Sequence, residues 1–143
     1  MRIVTISGPR GAGKETVLNG VLAALNGNLR RIIPCTTRMP RNGEKEGREY
    51  HFITRERFDR LLAVGEFAYS GPVQDYWSGT LWRALLQPKG GIIDITTQGA
   101  RLLEKIVSKR SGSVFSVYLY AGFAERASRI ERRQPQLPCH QCA

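Results

Sequence analysis

GPRGAGKET, residues 8–16, decides the fold of this 143-residue chain. It follows the apolar run RIVTIS at residues 2–7 and opens a helical pattern carried by Val17, Leu18, Val21, Leu22 and Leu25. A short buried strand that enters a Gly-rich turn and leaves as a helix is the setting of a phosphate-binding loop, G-x-x-x-x-G-K followed by Ser or Thr. Gly8, Pro9, Arg10, Gly11, Ala12, Gly13, Lys14, Glu15 and Thr16 make up the candidate loop. Its glycines let backbone N–H groups converge on phosphate oxygens, and the helix N-terminus adds partial positive charge. Lys14 then reaches the outer phosphates as a point charge. Glu15 stands where the magnesium-binding hydroxyl is expected, and Thr16 offers a hydroxyl one place later. A carboxylate is locally favourable in a first helical turn and binds magnesium directly or through water. Glu15 and Thr16 are therefore the candidate metal ligands.

Outward from the loop, the length fits one domain with a genuine core. Apolar residues at 41% and aromatics at 8% mark a globular chain rather than a disordered one. The apolar runs fall well short of the roughly 20 residues that cross a bilayer. Strand-like sequence begins by Ile3, which leaves no room for a signal peptide, so a soluble cytoplasmic protein is expected. Twenty-two basic residues against 12 acidic ones give a net charge of +10, and arginine dominates. That balance suits a polyanionic partner, nucleotide or nucleic acid, or else a solvated basic surface. Nucleic acid rests on charge alone, because the interleaved aromatic and basic pattern of an RNA-binding sheet is missing. Cys35, Cys139 and Cys142 form no disulfide framework. Cys139, His140 and Cys142 lack a fourth zinc ligand nearby and read as part of a tail.

Periodicity sets out the remaining elements. A helix over residues 14–25 stops at Asn26-Gly27-Asn28, and residues 30–35 read as a strand broken by Pro34. A strand is expected at 50–53 and a helix at 55–64, with Thr54 as its cap and Gly65 as its stop. Residues 66–79 read as extended and turn-rich, and a short helix over 81–86 ends before Pro88. Strands at 91–96 and 114–120 alternate with helices at 98–109 and 121–133. Strand and helix in alternation predict an α/β fold, a mainly parallel sheet flanked by helices, with its phosphate site at the strand ends.

CTTRMPRNGEKEGREYHF at residues 35–52 closely resembles the acceptor-binding segment of guanylate kinases, T-T-R-x-P-R-x-G-E-x-x-G-x-x-Y-x-F. GEF at 65–67, SGT at 78–80, IIDITTQGA at 92–100 and RASRIERR at 126–133 follow in family order. The resemblance covers nearly all of residues 1–133, and the chain is identified as a member of the guanylate kinase family. It implies a P-loop kinase fold over 1–133, with a small acceptor-binding lobe inserted at about 34–82. It also implies transfer of a phosphoryl group from ATP, with Mg2+, to GMP, giving GDP and ADP. Residues 8–16 would hold the donor, and Arg38, Arg41 and Tyr50 the acceptor phosphate. Two arginines three residues apart beside a phenol supply the charge and fork geometry that a phosphomonoester needs. The candidate catalytic cations are Lys14, Arg38 and Arg133.

The chain departs from the family pattern where the acceptor base is read. Tyr69 replaces a glutamate that reads the guanine edge, and Ser78 replaces a second phosphate-binding tyrosine. Pro34 stands in place of a serine, and Thr96 in place of the second acid of D-I-D. Thr80 and Asp94 are kept and complete the candidate acceptor set with Tyr69 and Ser78. In the family a lid of arginines follows the helix at 121–133, while residues 134–143 match nothing beyond Arg133. They read as an unstructured tail or a truncated lid: either the chain is a shortened form, or a partner or a neighbouring subunit, as in a homodimer, supplies the rest. A second reading keeps the fold without turnover, as a binding module for nucleotide or a phosphorylated partner.

Overall fold

The computed structural model describes residues 1–132. The chain runs β1 (Arg2–Ser7), α1 (Lys14–Ala24), β2 (Arg30–Arg31), β3 (Cys35–Thr36), β4 (His51–Phe52) and α2 (Arg55–Ala63). It continues through β5 (Phe67–Val73), β6 (Tyr76–Leu81), α3 (Trp82–Leu85), β7 (Gly91–Asp94), α4 (Thr97–Ser108), β8 (Ser113–Tyr118) and α5 (Phe123–Glu131). Two four-stranded sheets result, one in the order β2-β7-β1-β8 and the other in the order β4-β3-β6-β5.

The first sheet is parallel throughout, as its helical crossovers require. Successive strand side chains point to opposite faces, and that alternation sorts the core. Ile3 of β1 and Ile93 of β7 pack with Leu103 and Val107 of α4 on one face. Ile6 and Ile92 pack with Leu18 of α1 on the other, with Val4, Val21 and Leu22 around them. Each such side chain taken fully out of water is worth about 1.5–3 kcal/mol. The α/β architecture expected from the alternating pattern is therefore the one found.

The second sheet is mixed and forms the lobe between β2 and β7. A hairpin joins β5 to β6, turning at Gln74, whose φ of 55 is left-handed. Over it lies α2, capped by the Thr54 hydroxyl, which accepts from the Arg57 amide. Phe58 of α2 is fully buried and stacks on Phe67 with ring centroids 4.4 Å apart. Cys35 and Leu81 close this smaller core.

The structure corrects one expectation and sharpens another. Residues 30–35 do not make one strand: Arg30–Arg31 pair with β7, whereas Cys35–Thr36 belong to the lobe sheet. The chain changes sheets there, and Pro34, with no N–H to give a ladder, sits at the crossing. Residues 66–79 are not merely turn-rich but supply most of the β5–β6 hairpin. Gly71 and Pro72 disguise β5, which is tolerated because β5 is an edge strand. The expectations for Arg133 and for residues 134–143, including Cys139, His140 and Cys142, lie outside the described residues. No helix among the described residues is long and apolar enough to cross a membrane.

Candidate active site

The loop between β1 and α1 is shaped by close backbone approach. A Cβ on Gly8, whose φ is 146, would lie 2.4 Å from the carbonyl oxygen of Leu119 at the end of β8. Gly13 caps α1 in a left-handed conformation (φ 91) with no side-chain hydrogen bond to the first turn. The leading N–H groups of α1 are thus left to an anion rather than to a cap. Lys14 lies back across the loop, its Nζ donating to the oxygens of Gly8 at 3.0 Å and Pro9 at 3.2 Å. Arg129 of α5 braces the turn by donating to the Gly11 oxygen at 3.2 Å.

Between this loop and the lobe lies a cleft of about 460 Å³, whose walls include Lys14, Glu15, Arg31, Arg38, Tyr50 and Asp94. Two bidentate ion pairs stand in it. Arg31 holds both oxygens of Glu15, at 2.6 and 2.9 Å, and Arg38 both oxygens of Glu44, at 2.6 and 2.7 Å. Glu44 also accepts from the backbone N–H of Arg41 at 2.8 Å, so one carboxylate engages both Arg38 and Arg41. The hydrogen bonds from Arg31 and Arg38 hold the Glu15 and Glu44 carboxyls below their ordinary range. Arg38 also packs against the Tyr50 ring, 4.9 Å from its centroid, and the Tyr76 ring, at 5.9 Å. Burial pushes the Tyr50 phenol above its ordinary value.

Asp94 ends β7 opposite Ile6 of β1, at the mouth of the Gly-rich loop. Burial raises its carboxyl to about 6, against the opposing pull of Lys14. Tyr50 and Asp94 also line a second cavity of about 340 Å³, together with Tyr69, Tyr76, Ser78 and Thr80. Thr80 is fully buried, and its hydroxyl meets that of Tyr69 at 2.9 Å. Burial drives the Tyr69 phenol up to about 12. Ser78 donates to the Cys35 oxygen at 3.1 Å.

The structure therefore brings Lys14, Glu15, Arg38, Arg41, Tyr50 and Asp94 to one cleft and Tyr69, Ser78 and Thr80 to the cavity beside it. Thr16 lines a separate hollow with Arg129 and Arg132. Sequence reasoning did not single out Arg31, Glu44 or Tyr76. Tyr76 had a signal, since it stands two places before Ser78 on β6 and shares its face.

A parallel sheet with a Gly-rich loop at its strand ends, and a lobe that sets Arg38 and Arg41 across one cleft from Lys14, is the architecture of a P-loop phosphotransferase. Comparison with known proteins narrows the class. Residues 1–136 match the guanylate kinase family profile, and the chain belongs to the guanylate kinase family. It is 34% identical over 137 residues to a guanylate kinase of Porphyromonas gingivalis, covering 92% of this chain and 72% of that one. A guanylate kinase of Rubrobacter xylanophilus is 35% identical over 136 residues, covering 92% of this chain and 69% of the relative. The crystal structure of guanylate kinase from Anaplasma phagocytophilum superposes with a TM-score of 0.69 at 28% identity, covering 91% of this chain and 65% of that one. The chain thus spans about two thirds to seven tenths of the length of these relatives.

Proposed function

We propose that this protein transfers the terminal phosphoryl group of ATP to GMP, giving GDP and ADP. The observation that carries the reading is a single cleft lined both by Lys14 of the Gly-rich loop and by Arg38, Arg41 and Tyr50 of the lobe. Residues 8–16 hold the donor phosphates through backbone N–H groups, and Lys14 swings from its own loop to their outer oxygens. Arg38, Arg41 and Tyr50 hold the acceptor phosphate, which replaces Glu44 as the partner of Arg38. An oxygen of that phosphate attacks the terminal phosphorus of ATP while the bond to the bridging oxygen breaks. The attacking dianion already carries its electron pair, so no general base and no covalent intermediate are needed. Positioning and charge stabilisation supply the rate.

Magnesium carried on the donor fits these residues. Among the described residues no cluster of three acidic, His or Cys side chains forms a metal cage. Magnesium bound chiefly by phosphates needs only one or two protein carboxylates. Asp94 and Glu15 line the cleft and would provide them, Glu15 on release from Arg31, whereas Thr16 lines the separate hollow beside the loop. The ion would neutralise charge on the donor phosphates.

The test is ADP release from magnesium ATP in the presence of GMP, with Lys14→Ala as control. GMP-dependent release that falls about 10³-fold in the variant supports the reading. A folded protein that binds both nucleotides and releases no ADP overturns it.

A further inference from the structure

The residues of β6 divide between two faces. Trp77 and Leu81 turn to the lobe core of Phe58, Phe67 and Cys35. Tyr76 and Ser78 lie on the other face. Ser78 spends its hydroxyl on the Cys35 oxygen at 3.1 Å. Tyr76 has no such commitment, and the register of the lobe sheet decides where it stands. Antiparallel β3 and β6 pair Cys35 with Gly79 and Thr36 with Ser78. Two hydrogen bonds carry that register one step on, from the Thr37 amide to the Trp77 oxygen at 3.0 Å and from the Trp77 amide to the Thr37 hydroxyl at 2.9 Å. The next cross-strand partner of Tyr76 is therefore Arg38, and opposed side chains in an antiparallel pair meet.

They do meet here. The Arg38 guanidinium carbon lies 4.9 Å from the Tyr50 ring centroid and 5.9 Å from that of Tyr76, so two phenols stand beside one guanidinium. Among the described residues neither phenol hydroxyl is hydrogen-bonded to the protein, and neither oxygen is a buried polar atom left without a partner. Both are donors open to a ligand. Glu44 fills the Arg38 fork with its two oxygens. A phosphomonoester in its place brings three oxygens, of which the fork takes two, and leaves one for a phenol.

We propose that Tyr76 is a substrate-binding residue that donates its hydroxyl to the acceptor phosphate. The proposal rests on the reading of Arg38, Arg41 and Tyr50 as the acceptor-phosphate grip, and adds to it a second phenol from a different element. Tyr76 touches the phosphate and not the base, and takes no proton in the transfer.

Tyr76→Phe removes the hydroxyl and keeps the ring against Arg38. Calorimetric titration should show the dissociation constant for GMP rising about tenfold, with that for ATP unchanged. At saturation, the phosphorus-31 resonance of bound GMP should shift in the variant, while the aromatic proton resonance of its base stays in place. Wild-type affinity for GMP in the variant overturns the proposal. So does weaker binding with an unmoved phosphorus resonance, which would make Tyr76 a prop for Arg38. Failure of the wild-type protein to bind GMP, while it still binds ATP, overturns the acceptor reading and this proposal with it.

Discussion

On the parallel-sheet side of the cleft the candidate ligand-binding groups are mostly backbone, the N–H groups of a glycine-shaped loop and the open first turn of α1. On the lobe side they are side chains, guanidinium groups and phenols drawn from the segment after β3 and from the β5–β6 hairpin. Each side also keeps an arginine locked on a glutamate, Arg31 on Glu15 and Arg38 on Glu44. The difference explains which substitutions the chain absorbs. A backbone cradle survives Glu15 in place of a hydroxyl, because the N–H groups do not depend on that side chain. A side-chain site is rewritten by every exchange, and Tyr69 and Ser78 set the hydroxyls that line the lobe's cavity.

The sharpest test of that division is Lys14→Ala. It should lower kcat about 10³-fold while the acceptor KM moves little; a comparable loss in KM would mean that the two walls act as one. Asp94→Asn comes next. Its carboxyl is raised from 3.8 to about 6, so the folded state favours the protonated form. Wild type and variant should be about equally stable near pH 3, where the acid is neutral in both states. As pH rises through 6 the wild type should lose ground by on the order of 3 kcal/mol, read from denaturant melts at both ends of the range. Glu15 and Glu44 run the other way, since their lowered values add stability above the ordinary carboxylate range that is lost on acidification.

A smaller contrast comes from the ion pairs. Glu44→Gln, which leaves the well-covered Arg38 without its charge partner, should cost about 2 kcal/mol in equilibrium unfolding. Glu15→Gln should cost about 1 kcal/mol, because its side chain is 34% exposed and solvent screens it. Smallest are the helix caps, Thr54 on the lobe and Thr96 on the core, each accepting from the third residue beyond it. Replacement of either by Ala should remove about 1 kcal/mol. Equal shifts in one cooperative melt would show that core and lobe unfold together, whereas an early separate transition for Thr54→Ala would show that they do not.

The loop was legible in the sequence because its function fixes residue types at short, constant offsets: Gly8, Gly13 and Lys14 between a strand and a helix. The span of α2 was equally plain from Thr54 and Gly65. What the sequence hid depends on register between distant segments. Tyr76 reaches Arg38 because β3 and β6 align Thr36 with Ser78, which no local pattern announces. Nor does composition reveal that Glu15 and Glu44 each fold back on an arginine. Pro72 concealed β5 because a proline reads as a strand breaker until the strand is known to lie at an edge.

The connectivity of the parallel sheet carries a consequence for how the molecule assembles. β2 and β7 are hydrogen-bonded neighbours, yet about 60 residues separate Arg31 from Gly91. Closing so long a loop through a disordered chain costs on the order of 3–4 kcal/mol of entropy. The lobe takes on most of that cost itself, because pairing of Cys35 with Gly79 closes about 44 residues and leaves the two ends of the excursion close together. Its hairpin and α2 rest on contacts close in sequence, which form early. Refolding should therefore proceed from the lobe to the sheet, with the inserted segment serving as the splint on which the parallel sheet is set.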